Sequence, residues 1–244
     1  ILVPISKVPD TTSKIAFTDG NSKFNEEGIQ WIVNPYDEWY ALVRALELVE
    51  AGGGTVTVIN VGDATADPVI RKALALGAND AVRIDVNPAD SYVIAKEIAA
   101  YASDKGFDLV LLGKETISYN GSEVGGMLAE FMNLPYISLA AKLEVSGDTA
   151  TVDRSIEGGT EVAEVKMPFV ASAAKGMAEQ RIPNMRGIMA ARSKPLTVVP
   201  ATGATAKTAY VSYGLPDAKS AVKLVDPENM DELVNLLHTE AKVI

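Results

Sequence analysis

The stretch Asp108-Leu109-Val110-Leu111-Leu112-Gly113-Lys114 sets an unbroken apolar run directly before a glycine. A run so short and uniform reads as a strand buried on both faces, as in a parallel sheet covered by helices. Similar runs span Ile1 to Ile5, Thr55 to Val61, Ala81 to Ile84 and Tyr136 to Ala140. Helical patterns lie between them. Asn34-Pro35 and Asp67-Pro68 each place a capping side chain before a proline at the first helical position. The first helix is expected to bury Trp39, Leu42, Leu46 and Val49 and to stop at Gly52-Gly53-Gly54. The second carries Ile70, Leu74 and Leu76 up to Gly77, and Ser91 caps a third with Val93, Ile94, Ile98 and Tyr101 inward. This alternation predicts an α/β fold built on a parallel sheet.

After about residue 141 the texture changes. Lys142 to Val145 and Thr149 to Arg154 read as alternating strands joined at Gly147-Asp148. The segment Val152-Asp153-Arg154-Ser155-Ile156-Glu157-Gly158-Gly159-Thr160-Glu161 forms a further hairpin that turns at its glycines. Lys166-Met167-Pro168-Phe169-Val170-Ala171 then places a proline before a buried strand. Residues 174–186 lack periodicity and read as an exposed loop, followed by a short helix over Gly187 to Ala191. The organisation expected is an α/β domain over 1–194, with the hairpin insert at about 141–166 and the loop 174–186 inside it. Residues 195–244 form an extended arm, whose terminal helix starts at Asp226-Pro227-Glu228 and presents Met230, Leu233, Val234 and Leu237 on one face.

The 244 residues carry a net charge of −10, which disfavours nucleic acid or an anionic membrane as a partner. With no cysteine, disulfides, thiolate metal sites and thiol nucleophiles are excluded. The single histidine, His238, reads as a solvent-facing residue near a helix C-terminus, so a Ser-His-Asp triad lacks parts. Apolar content is 48%, yet no apolar run approaches the span of a bilayer. Ile1-Leu2-Val3-Pro4-Ile5 reads as a buried strand rather than a leader. The expected location is cytoplasmic in a bacterium, or the mitochondrial matrix in a eukaryote. The chain does not begin with methionine, which leaves targeting open.

In an open parallel sheet, ligands bind beyond the carboxyl ends of the strands where strand order reverses. The residues leaving those ends are Pro4, Ile5 and Ser6; Val61, Gly62 and Asp63; and Gly113, Lys114 and Glu115. Asn120-Gly121-Ser122 precedes a helix that carries Glu123, Val124, Gly125 and Gly126, and its first N–H groups are suited to a phosphate. Lys114 and Glu115 are adjacent in a loop and are expected to point apart. The P-loop pattern and an early G-x-G-x-x-G are missing, which favours nucleotide binding without phosphoryl transfer. Apart from Tyr119 no aromatic residue lies around Gly113 to Gly126, so the isolated chain is expected to be poor in flavin.

The hairpin segment and its following proline resemble the signature of the electron transfer flavoprotein beta subunit: a basic residue, an acid, two small or acidic residues, an acid, and a proline before a buried strand. Ala163 stands where that family usually has Leu, Ile or Val. Val33 to Glu38, Arg71 to Ala78, Asp108 to Lys114 and Met185 to Ala191 resemble further segments of the family in the same order. The resemblance implies a Rossmann-like fold and an electron carrier subunit rather than a self-contained enzyme. It implies an alpha subunit that holds most of an FAD, electron donors such as the acyl-CoA dehydrogenases of fatty acid oxidation, and a membrane quinone oxidoreductase or another acceptor. The chain itself would bind AMP, or a second FAD in electron-bifurcating members, through Pro4, Asn34, Pro35, Tyr36, Val61, Gly62 and Asn120 through Gly125. Ser122-Glu123-Val124-Gly125-Gly126 departs from both family versions of the phosphate loop, so an empty site stands beside AMP and FAD, while Val124 leans toward the bifurcating type. Thr11 replaces a tyrosine found near the alpha-subunit flavin in some members, and Arg154 falls beside the same flavin. Met177, where a leucine usually inserts into a dehydrogenase, and Arg181 would bind the partner. The alternative is a free-standing adenine-nucleotide sensor of universal-stress-protein type, which has no use for residues 141–166 or 195–244. An adenylating enzyme on the same fold lacks a pyrophosphate motif.

Overall fold

Alternate residues of each central strand face opposite sides of one sheet, and both sides are dry. Val3, Val58, Leu109 and Leu111 join one buried cluster, while Leu2, Ile59, Val110 and Leu112 join the other. That two-sided burial is what a uniformly apolar strand requires. The computed structural model describes residues 1–219 and 221–244. Along the chain the strands are β1 (Leu2–Pro4), β2 (Lys7–Pro9), β3 (Phe17–Thr18), β4 (Lys23–Phe24), β5 (Trp31–Val33), β6 (Thr57–Gly62), β7 (Asp80–Asp85), β8 (Leu109–Gly113), β9 (Tyr136–Ser146), β10 (Thr149–Ile156), β11 (Gly159–Lys166), β12 (Phe169–Ala173) and β13 (Leu196–Pro200). The α-helices are α1 (Asp37–Gly52), α2 (Asp67–Leu76), α3 (Ser91–Ala102), α4 (Val124–Met132), α5 (Met185–Ala191) and α6 (Met230–Leu236).

The main sheet has nine strands in the order β11-β10-β9-β12-β8-β1-β6-β7-β13. Every pairing from β9 through β13 in that order is parallel, and β10 pairs antiparallel with β9 and β11. The result is a Rossmann-like α/β fold with an antiparallel extension. Helices α1 and α2 cover one face through Leu42, Leu46, Ile70 and Leu74. Helices α3 and α4 cover the other through Ala95, Ile98, Leu128 and Ala129. Helix α5 packs on α2, where a Cβ on Gly187 would lie 2.3 Å from the Ala75 carbonyl oxygen. None of the described helices is long and apolar enough to cross a membrane.

Strand β1 is the switch point. The chain leaves it for β6 and β7 on one side and returns to β8 on the other. The ends of β1, β6 and β8 therefore open onto a common crevice.

Several local expectations need correction. Asn34 does not cap α1: its buried side chain donates to the Glu115 carbonyl at 3.0 Å and accepts from the Ile117 amide at 2.8 Å. The helix starts later, behind Tyr36 at φ 64. Asp67 pairs with Arg83 at 2.8 Å instead of capping α2. Asp90, not Ser91, caps α3 by accepting from the Val93 amide at 2.9 Å. The runs expected as separate strands at 136–140 and 142–145 are one continuous β9. Helix α6 begins at Met230 behind Asn229, later than Asp226.

The arm also differs from its expectation. Leu196–Pro200 supply the β-branched edge strand β13, paired in parallel with β7. Just before it, Lys194 donates to the Leu74 and Ala78 carbonyls at 2.9 and 2.6 Å, tying the chain to the end of α2. Glu97 then accepts from Thr202 and Ala204, and Asp90 from Lys207 and Thr208. The boundary at residue 194 thus falls inside bonded structure. Further along, the Tyr213 amide donates to the Asn21 carbonyl at 2.8 Å. Helix α6 has no buried residue, and Met230, Leu233 and Val234 are exposed.

Candidate functional site

The crevice beyond β1 holds a cleft of about 310 Å³. Its walls bring together Pro4, Ile5, Ser6, Val61, Gly62, Gly113, Gly121, Ser122, Glu123 and Val124, from the three connections that follow β1, β6 and β8. Five other expected residues do not line it. Asn34 braces the 115–117 loop from behind, Pro35 lies in the turn before α1, and Tyr36 is exposed. Asn120 holds a left-handed turn at φ 54. Gly125 lies under Tyr136, where a Cβ would come within 2.7 Å of the phenol oxygen.

Two polar residues absent from the expected set form part of the lining. Glu38 is buried and accepts from the Ser6 amide at 2.6 Å and the Ser6 hydroxyl at 2.7 Å. Burial pushes its carboxyl from 4.5 up to about 8, against the opposing pull of the Ser6 hydrogen bonds. A Cβ on Gly113 would sit 2.6 Å from the Glu38 amide nitrogen, so glycine allows β8 and α1 to meet. Asn60 is 4% exposed; its Nδ2 donates to the Ile5 carbonyl at 2.9 Å, while its Oδ1 has no protein partner. A lone amide within Val58-Ile59-Asn60-Val61 was a readable signal, because a buried polar atom requires a partner. Glu38 gave none. The segment 87–90 and Tyr210 also line the cleft, from parts of the chain far from those loops in sequence.

Lys114 and Glu115 do not point apart: their side chains pair at 3.1 Å. The Ser122 hydroxyl donates to the same carboxylate at 2.9 Å. These two donors, Ser122 first, hold the Glu115 carboxyl below the usual carboxylate range. The loop before α4 closes around this carboxylate because Asn120 and Ser122 both take left-handed conformations, at φ 54 and φ 53.

A second recess of about 750 Å³ lies alongside, sharing Lys7, Tyr119 and Tyr210 with the first and lined also by Thr11, Phe17, Phe24, Trp31 and Tyr213. Tyr119 is therefore not alone. Tyr210 meets it edge-on at 6.0 Å and stacks on Tyr213 at 5.3 Å, which stacks on Phe17 at 5.1 Å. The aromatic row was invisible because the arm brings two of its members from some ninety residues away. Arg154 lines neither recess. It pairs with Glu161 across β10 and β11 at 3.1 Å and donates to the Ser138 hydroxyl at 3.0 Å, leaving its buried Nε without a partner.

The loop expected to be exposed is fastened to α1. Arg181 makes a two-pronged ion pair with Glu50 at 2.7 and 2.9 Å, and its carbonyl accepts from the Trp39 indole at 3.1 Å. Met177 is 4% exposed and belongs to the core, contrary to its expected exposure. The apolar side chain the loop presents to solvent is Ile182, 82% exposed, followed by Met185.

The electron transfer flavoprotein domain matches residues 22–204. The chain is 36% identical over 258 residues to the electron transfer flavoprotein subunit beta of Bacillus subtilis, covering 100% of this chain and 99% of the relative. It is 34% identical over 229 residues to the subunit of the same name from Syntrophomonas wolfei, covering 93% and 90%. The corresponding subunit of Bradyrhizobium diazoefficiens is 30% identical over 251 residues, covering 100% and 99%.

Proposed function

Because this chain belongs to the electron transfer flavoprotein beta-subunit family, we infer that it is the beta half of a heterodimeric electron carrier, paired with an alpha subunit. Family membership sets aside the free-standing nucleotide sensor. FAD, held mainly by the alpha subunit, supplies the ring that accepts and releases electrons. This chain supplies position and partner selection. Its electrons come from dehydrogenases such as acyl-CoA dehydrogenases and leave to a quinone oxidoreductase or another acceptor, in the cytoplasm of a bacterium.

The observation that carries this reading is the exposed apolar face of α6, with Met230, Leu233 and Val234 uncovered at the end of the arm. A stripe of that kind is stabilised by a partner surface. Thr11, in the aromatic recess, and Arg154, on the hairpin, are the residues assigned to the flavin environment. Ile182 takes the dehydrogenase-docking role first given to Met177, and Arg181 fixes the loop by its pair with Glu50.

The cleft at β1 is the site for AMP or the adenine end of a second FAD. Its apolar wall from Val61, Ile98 and Leu112 and the free acceptor of Asn60 suit a base or ribose that carries hydrogen-bond donors. The phosphate end fits less well, because Glu115 already takes the donors of the loop.

Co-purification with the alpha subunit, followed by release and chromatography of the bound nucleotides, tests the reading. One FAD beside an adenine compound indicates a simple carrier, and two FAD indicate a bifurcating one. Failure to hold any alpha subunit contradicts the assignment.

A further inference from the structure

The loop that leads into α4 has the parts of an anion site and has already filled it. The Ser122 hydroxyl and the Lys114 ammonium converge at 2.9 and 3.1 Å on one carboxylate, that of Glu115. Their pull keeps the Glu115 carboxyl ionised at neutral pH. The rest of the lining adds no cation to spare. Among the described residues the cleft has two lysines, and the second, Lys7, donates to Thr65 at 2.6 Å and lies 4.0 Å over the Trp31 ring. Asp63, Asp90 and Glu123 line the same cleft, and Glu123 reaches to within 3.4 Å of where a Cβ on Gly121 would stand. A phosphate brought here meets a fixed negative charge where it needs donors.

Deeper in, the chemistry is different. The Asn60 Oδ1 is a buried acceptor with no protein partner, on a residue 96% buried that lines the same cleft as Val61, Ile98 and Leu112. A buried acceptor of that kind gains from a neutral donor such as an amine or hydroxyl.

We propose that Glu115 is a built-in anion standing where a phosphate would bind, so that this cleft selects an uncharged nucleoside over its phosphorylated form. This rests on the reading of the cleft as an adenine site. Removing the charge while keeping the shape frees Lys114 and Ser122 for an external phosphate and inverts the preference.

Isothermal titration of the full chain, stripped of bound nucleotide by dialysis, with adenosine and with AMP tests it. The native chain is expected to bind adenosine more tightly than AMP. E115Q is expected to raise AMP affinity by about tenfold or more relative to adenosine, and a thermal melt matching the native chain reports that the variant is folded. If adenosine binds but AMP binds the native chain more tightly and E115Q leaves the ratio unaltered, the proposal is overturned while the adenine site stands. If neither ligand binds the native chain or E115Q, the adenine-site reading fails and the proposal with it.

Discussion

Ser6 gives both its backbone amide and its hydroxyl to the carboxyl of Glu38, at 2.6 and 2.7 Å, and so joins the end of β1 to the first turn of α1 in the lining of the cleft. Burial raises the Glu38 carboxyl to about 8. Between its ordinary value of 4.5 and about 8 the folded chain keeps a proton that the unfolded chain has released. Stability contributed at this site is therefore present at acidic pH and falls as pH rises through that window. E38Q removes the slope. Urea unfolding should find E38Q close to the native chain near pH 5 and more stable by on the order of 1–3 kcal/mol near pH 9; a difference that does not change with pH contradicts this.

Met177 and Ile182 separate stability from docking. Met177 is packed in the core, so Met177→Ala should lower unfolding free energy by about 2–5 kcal/mol. Ile182 is exposed, so Ile182→Ala should leave the melting temperature alone and weaken dehydrogenase docking by about 1–2 kcal/mol. The reverse pattern in thermal melts and donor kinetics would return the partner role to Met177.

The arm is latched by the carboxylates of Asp90, which caps α3, and of Glu97 within that helix. Burial pushes Asp90 and Glu97 upward, but the amides of residues 202–208 together with the α3 cap outweigh it, and both carboxyls are held below their usual range. Such groups contribute stability above the unfolded value, and the contribution is lost as pH falls through the folded one. Limited proteolysis should therefore find residues 201–213 protected at neutral pH and cut below about pH 4. Protection that persists in E97Q combined with D90N would show that the aromatic row holds the arm instead.

Truncation divides the terminal region at a different place from residue 194. Ending the chain after Gly214 keeps β13 and the latch and should leave a folded body that no longer retains the alpha subunit. Ending it after Lys194 removes the edge strand beside β7 and should lower Tm by about 10 °C or more. Equal melting temperatures for the two truncations would show that β13 adds nothing to the body.

The parallel sheet was legible because Leu109 to Leu112 and its companions are apolar without alternation, a pattern that only two covered faces explain. The loops at the switch point followed from it, and ten of the expected residues do line one cleft. The helix caps were not legible. Asn34 and Asp67 carry capping side chains, but tertiary partners at the 115–117 loop and at Arg83 took those groups. Strand β13 was hidden by Pro195 and Pro200, which read as an extended linker although an edge strand tolerates proline at its ends. The Lys114 to Glu115 pair depends on loop curvature that no spacing rule supplies.

The most direct test of the carrier assignment follows the flavin itself. The purified heterodimer is mixed anaerobically with an acyl-CoA dehydrogenase and its substrate, and flavin absorbance is recorded against the alpha subunit alone. The account predicts bleaching that requires this chain and is slowed by Ile182→Ala. Bleaching of the alpha subunit alone at the same rate, or a heterodimer whose flavin no dehydrogenase donor reduces, would contradict it.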